Sequence, residues 1–284
     1  NQPYGDVWLK LRPLVYKKHP YAWPTIGKEV SHIENAQIEH VKAFFKKHYS
    51  PVNAILVIGG DIDLSRAKQL SEKWFANIPS GEKYVRELPQ EEVQKEPQRL
   101  EVSGQVPMDA IYIAYKMCGR RDADYYATDL ASDILGRGKS SRLYTKLINE
   151  QKIFHSVQSY VMGSFDAGIV VVEGKVQSGH TVEEAEEKLN AVIAEFVQQG
   201  FSNEELLKVK NQAESTLVFS ECELLNRVTN LAFAALEGDA NYINTEVDAI
   251  RVVQTSDVKR VMQQVFQKNN SSTLIYRANK KNEN

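Results

Sequence analysis

Residues 154–176 read FHSVQSYVMGSFDAGIVVVEGKV, and this stretch decides the fold class. Residues 154–162 and 169–176 are rich in Val, Ile, Phe and Tyr, the side chains that pack best on a pleated surface. GSFDAG between them supplies the glycines and the aspartate of a chain reversal, so the two runs predict an antiparallel hairpin. Two further strands precede it, RLEVSGQV (99–106) and AIYIAYK (110–116), and STLIYR (272–277) closes the series. Between the second strand and the hairpin, Asp124 is placed to cap the helix YYATDLASDIL, which ends at Gly136. Ser141 then opens a short helix with Leu143, Leu147 and Ile148 inward. After the hairpin come helices in a run. Thr181 with Glu184 and Ser202 with Glu205 have capping-box spacing. Gly200 ends the first of these helices. The second is expected to continue to Gly238 with a kink near Ser220, and Thr255 is expected to cap SDVKRVMQQVFQ. Strands in pairs followed by helices in a run predict an α+β fold, an antiparallel sheet packed with helices, and not a βαβ winding.

Upstream the inventory is uneven. NAQIEHVKAFFKKHY carries Ile38, Val41, Phe44 and Phe45 at helical spacing with Lys42, Lys46 and Lys47 opposite, and Pro51 lies just past its end. NAILVIGGDID reads as a short apolar strand closed by Gly59 and Gly60. Asp63 caps LSRAKQLSEKWFANI, with Leu64, Ala67, Leu70, Trp74 and Phe75 inward. One strand for two helices cannot make a sheet. Residues 1–79 therefore read as part of a domain, and the strand is expected to present an unpaired edge that invites association. Residues 80–98, charged and holding Pro89 and Pro97, read as a solvated linker. Residues 99–284 hold a complete α+β set.

The 284 residues carry 35 Lys and Arg against 37 Asp and Glu, a formal charge of −2. Such a balance, with Lys46-Lys47 and Lys280-Lys281 as the basic runs, does not fit a nucleic-acid surface. No apolar run approaches the ~18 residues of a membrane span. Cys118 and Cys222 cannot build a disulfide framework or a cysteine zinc site. One pairing stays open, but both lie in apolar-rich stretches and read as buried free thiols. The six histidines, 19, 32, 40, 48, 155 and 180, form neither H-E-x-x-H nor H-x-x-E-H. His40 has only Ala36 and Phe44 at i±4, and His48 is two turns away. They read as surface or capping residues, with no metal ligands and no catalytic residues in this chain. The G-x-G of LGRGKSSRL follows a helix, which is the wrong context for a dinucleotide loop.

Several stretches together resemble the insulinase/pitrilysin-type zinc metallopeptidases, the inverzincin family that includes mitochondrial processing peptidase. HPYAWPTIG (19–27), AFFKKHYSPVNAILVIGGDID (43–63) and WFANIPSG (74–81) follow one another at the family's distances. RRDADYYATDLASDILGRGKSSRLYTKLINEQKIFHSV (120–157), FDAGIVVVEGKV (165–176) and FSNEELLKVKNQ (201–212) continue the likeness over nearly the whole chain. The resemblance implies paired α+β domains of like fold. Residues 1–79 would be the C-terminal part of a first domain, and 99–284 a second, complete domain without a zinc site. The family's H-x-x-E-H helix and its downstream glutamate would then precede Asn1. No cofactor is expected in this chain, and zinc is expected in the full-length protein or a partner.

Many members also contribute an arginine and a tyrosine from the second domain to grip the substrate backbone. Here those positions hold Ile148, which offers no donor, and His155, which could donate one hydrogen bond. The loop Gly136-Arg137-Gly138 matches a glycine-bearing loop that contacts substrate in some members. The resemblance thus implies a peptide-binding role for Gly136, Arg137, Gly138 and His155, against a plain reading as helix caps and a solvent-facing strand residue. Arg142 is expected to pair with a carboxylate as structure. Two functions remain open. One is the non-catalytic portion of a zinc metallopeptidase, forming part of its peptide-binding chamber beside a second metallopeptidase-like unit, in a homodimer, a heterodimer or a tandem half. The other is an inactive homologue that serves as partner or scaffold in a peptidase or assembly complex.

Overall fold

The strands marked out by β-branched and aromatic runs form one five-stranded sheet in a computed structural model, which describes residues 2–279. They are β1 (Gln98–Gly104), β2 (Ala110–Lys116), β3 (Phe154–Met162), β4 (Ile169–Val176) and β5 (Ser271–Ala278), in the order β1-β5-β2-β4-β3. β3 and β4 are the expected hairpin, with Val161 opposite Val170 and Gln158 opposite Glu173. The sheet is antiparallel except at one place. β5 enters between β1 and β2 and runs parallel to β1, Leu100 facing Leu274.

The helices are α1 (Val7–Val15), α2 (Val30–Glu34), α3 (Ile38–His48), α4 (Leu64–Phe75), α5 (Tyr125–Gly136), α6 (Val182–Gln199), α7 (Asn203–Ser220), α8 (Leu224–Leu236), α9 (Tyr242–Val252) and α10 (Thr255–Val265). The chain divides into two compact units that interleave in sequence. One takes the residues up to Pro24, Pro89–Gln212 and those from Ala249 on; the other takes Thr25–Leu88 and Ala213–Asp248.

In the first unit the sheet is covered on both faces, which is why β2 is an unbroken apolar run. On one face α1 lays Val7, Leu11 and Val15, spaced i, i+4, i+8, against Tyr112, Ala114, Val171 and Leu274. The sequence reading did not single out α1, whose pattern is short and interrupted by Pro13. On the other face α5 packs on β3, α6 on β2, and α10 on α5 and α6, burying Leu130, Ile134, Leu189 and Met262.

Several helix starts differ from expectation. Asp124 holds the N-cap position of α5 without capping it, because both its oxygens are taken by Arg260 (2.6 and 2.7 Å). The N-cap of α10 is Gln254, one residue before Thr255, in a capping box with Asp257. Ser202 and Glu205 form a full box, whereas Thr181 accepts from Glu184 N–H while the Glu184 carboxylate turns to His180. The helix expected to kink near Ser220 is broken there into α7 and α8.

The second unit holds α2, α3, α4, α8 and the segment 54–59. That segment is not a strand: it has no ladder partner among the described residues. It lies along α8 so closely that a side chain at Gly59 would collide with Val228. The apolar stripe of α3 faces solvent, with Phe44 58% and Phe45 61% exposed, and Trp74 and Phe75 of α4 are exposed too. The expectation that Leu64, Trp74 and Phe75 point inward is therefore not met: Leu64 is exposed as well, because nothing among the described residues covers that side of the helix. Cys118 and Cys222 are free, as expected, but not buried: the first is half-buried and the second exposed. Burial still pushes the Cys118 thiol up to about 11, helped by Asp122 and Asp124. Lys280 and Lys281 lie outside the described residues.

Candidate functional site

A groove of about 660 Å³ runs along β3 beside the loop after α5. β3 is the last strand in the sheet order, so its outer backbone edge is unpaired among the described strands. Gly136 and Ser159 set the distance between helix and strand: a Cβ on Gly136 would collide with the Ser159 backbone nitrogen and lie 2.8 Å from its Cα. Ser132 Oγ and Ser159 Oγ, 2.8 Å apart, join the same two elements. Gly138 then turns the chain at φ +80°, a left-handed conformation that favours glycine. Ser141 and Lys208, whose ammonium donates to Ser140 O (3.3 Å) and Oγ (3.0 Å), hold the far side of the loop. Beyond the loop the chain makes a single π-helical stretch, Tyr144–Glu150, with Gln151 N–H donating to Lys146 O. Its first residue, Tyr144, lines the groove.

Of the residues expected to contact peptide, Gly136, Arg137 and Gly138 all line this groove. His155 does not. It lies on the same strand, exposed, at the bulge between Phe154 and Ser156. Ile148 is half-buried in the π-helical stretch. Arg142 is structural: it forms a bidentate pair with Glu205 (2.6 and 2.8 Å) and also donates to Gly200 O. The sequence reading missed Asp133. This carboxyl is 4% exposed, and burial pushes its pKa up while Arg137 Nη1 at 2.9 Å pulls the other way. Its i,i+4 spacing to Arg137 was the available signal. The groove therefore offers a free strand edge, a glycine turn and a committed Asp–Arg pair, equipment for holding an extended chain by main-chain hydrogen bonds.

His19 is the one histidine of the described set that is buried. Its Nδ1 accepts from Tyr21 N–H (3.2 Å), so Nε2 carries the proton toward Asp166 Oδ2 (2.9 Å). This caps the short turn Pro20–Ala22 and pins it to the β3–β4 connection. Among the described residues no three His, Cys, Asp or Glu side chains converge on a point that could hold a metal ion. The described residues do not fit a zinc ion, and no helix among them is long and apolar enough to cross a membrane.

The sequence profile of the Peptidase M16 inactive domain matches residues 35–213, and the chain belongs to that family. It is 24% identical over 279 residues to the zinc protease PqqE of Helicobacter pylori, a match over 97% of this chain and 62% of that protein. The zinc protease YmxG of Bacillus subtilis is 20% identical over 97% of this chain and 66% of its own length. In three dimensions the chain is similar to a protease from Helicobacter pylori, with TM-score 0.85 and 21% identity over 97% of this chain and 67% of that one. It is likewise similar to a peptidase M16 inactive domain from Pseudomonas fluorescens, with TM-score 0.83 and 20% identity over 97% and 66%. The chain thus spans about three fifths of the length of the Helicobacter relative, and its α+β architecture is that of these peptidase-like folds.

Proposed function

We propose that this chain is the non-catalytic portion of a zinc metallopeptidase and forms part of the wall of its peptide-binding chamber. The observation that carries the reading is the free edge of β3 with its 660 Å³ groove. A peptide strand would add to that edge, held by main-chain hydrogen bonds, with Gly136–Gly138 allowing close approach and His155 offering a ring N–H further along. Zinc and the water it activates would come from residues outside this chain or from a partner. Residues 1–79 would be the C-terminal part of a first metallopeptidase-like domain, 80–98 a linker and 99–284 a second such domain. The unpaired segment 54–59 and the bare apolar faces of α3 and α4 favour that division, since both await a covering layer. The partner would be a second metallopeptidase-like unit, in a dimer or as the other half of a tandem.

A second reading, an inactive homologue that scaffolds such an assembly, is favoured by Ile148 and His155, which stand where many members have the substrate-gripping arginine and tyrosine. One experiment tests the first reading. An extended, uncleavable peptide added to the isotope-labelled chain should perturb amide resonances at 136–138 and 155–161, with no zinc bound and no hydrolysis. One equivalent of zinc by atomic absorption with chelator-sensitive cleavage would overturn it, as would perturbations confined to other parts of the chain.

A further inference from the structure

Lys175 projects from β4, half-buried, and its ammonium donates to the Tyr112 hydroxyl. The same nitrogen lies 3.8 Å from the centre of the Tyr4 ring and 4.3 Å from that of Tyr112. Among the described residues no carboxylate pairs with it. The carboxylates of this neighbourhood are committed elsewhere. Glu173, two residues earlier on β4, accepts from Gln158 Nε2 (2.8 Å) and from the Tyr160 hydroxyl (3.1 Å). Asp109 accepts from Ala278 N–H (2.7 Å), and Asp6 pairs with Lys10. Other lysines drawn into the fold are answered, Lys116 by Glu91 (3.4 Å) and Lys210 by the carbonyls of Arg251 and Val253.

Ring faces attract an ammonium, but burial strips its water, and a phenol serves a neutral amine as well as a charged one. Burial lowers the pKa of Lys175, and Glu173 restores only part of the loss. Burial also raises the pKa of Tyr112, so the phenol keeps its proton and can donate it to the amine. A desolvated lysine of this kind is a nucleophile near neutrality. The same amine holds a strained turn. Tyr4 has φ +61°, a left-handed conformation uncommon for a residue with a side chain. Its ring is kept there by Lys175, by an edge contact with Tyr276 at 5.6 Å, and by its hydroxyl donating to Met108 O (2.6 Å). Gly5 N–H donates to Gln2 O (2.9 Å) and Val7 N–H to Tyr4 O (3.1 Å) across the turn. Removing the charge on Lys175 takes away one of the three holds on Tyr4.

We propose that Lys175 is an acylation site for a small activated acyl group, and that acylation loosens the turn at residues 2–7. The amine lone pair attacks the acyl carbon, an N–C bond forms, and the C–S or C–O bond to the leaving group breaks. A thiolate or phosphate departs with the electron pair, and solvent takes the amine proton. The product is a neutral amide, which the ring of Tyr4 no longer attracts as a cation. The site does not depend on the β3 groove or on zinc. The 284-residue chain is treated with acetyl phosphate and, separately, with the acetyl thioester of N-acetylcysteamine over a range of pH. Acetylated lysines are quantified by peptide mass spectrometry, and the faster reagent identifies the source of the acyl group. Near neutrality Lys175 should react about threefold or more faster than the average exposed lysine, and its rate should level off at lower pH. Glu173→Gln should lower that levelling point further and leave the exposed lysines unchanged. In the chain acetylated at Lys175, the amides of Gly5 and Val7 should exchange with deuterium several-fold faster. Labelling of Lys175 no faster than that of exposed lysines, a pH profile unmoved by Glu173→Gln, or unchanged exchange at Gly5 and Val7 would overturn the proposal.

Discussion

Glu91 lies in the charged, proline-bearing stretch that reads as a solvated linker, yet its side chain is only 7% exposed. Its Oε1 accepts from the backbone N–H groups of Lys18 (2.5 Å) and His19 (2.6 Å), and its Oε2 lies 3.4 Å from Lys116 Nζ. Burial alone would raise its pKa, but the two N–H donors and the lysine outweigh it and hold the carboxyl below its ordinary value. A depressed carboxyl stabilises the fold above its unfolded-state pKa and loses that contribution as pH falls through the folded one. Glu91→Gln should therefore cost about 2 kcal/mol near neutrality by urea unfolding. The two proteins should converge in stability on acidification below the carboxylate range. An equal deficit at all pH values would rule this role out. Composition placed this segment at the surface, as Glu92 shows by pairing with Lys18 in the open. It could not say which of two adjacent glutamates turns inward, because the partners lie 25 and 72 residues away. The same distance hid the Asp124–Arg260 pair, 136 residues apart, behind a local expectation of capping.

At the scale of elements, the contact of α5 with β3 is the tightest constraint on the candidate groove. Gly136→Ala would raise helix propensity, yet the added methyl meets the β3 backbone at Ser159, so helix or strand must shift to admit it. The substitution should destabilise the chain by about 1–3 kcal/mol, as overpacking does. A neutral or stabilising effect in chemical denaturation would show that helix and strand are further apart than this contact requires. Strand identities were legible here because β2, β3 and β4 are dense β-branched runs bounded by turn residues, and the hairpin is local. The parallel pairing of β1 with β5 was not, since it joins residues some 174 positions apart and no local pattern encodes it. In the groove, the glycine loop was legible through the resemblance. The contribution of β3 itself, through Ser159 and its free edge, was not, because backbone edges leave no mark in side-chain sequence.

On the scale of the molecule, the second unit carries a broad apolar surface: Ile33, Phe44, Phe45, Trp74 and Leu225 are each more than half exposed. Soluble proteins seldom leave such patches bare. The purified chain should self-associate in sedimentation velocity at tens of micromolar. Val41→Glu with Phe45→Glu, one i,i+4 stripe on α3, should shift it toward monomer without lowering the unfolding midpoint, since side chains already in water contribute little to folding. A wild-type chain that stays monomeric and binds no hydrophobic dye would contradict this exposure.

The placement of β5 also bears on how the polypeptide is made. A nascent chain leaving the ribosome can close the β3–β4 hairpin and dock it on β2, but the slot between β1 and β2 stays open until Ser271–Ala278 emerges. Until then two strands present unsatisfied backbone to the cytosol or to a translocation channel, over the time needed to synthesise more than half the sequence. Completion of this sheet is accordingly a late step that depends on holding the earlier strands apart from other chains.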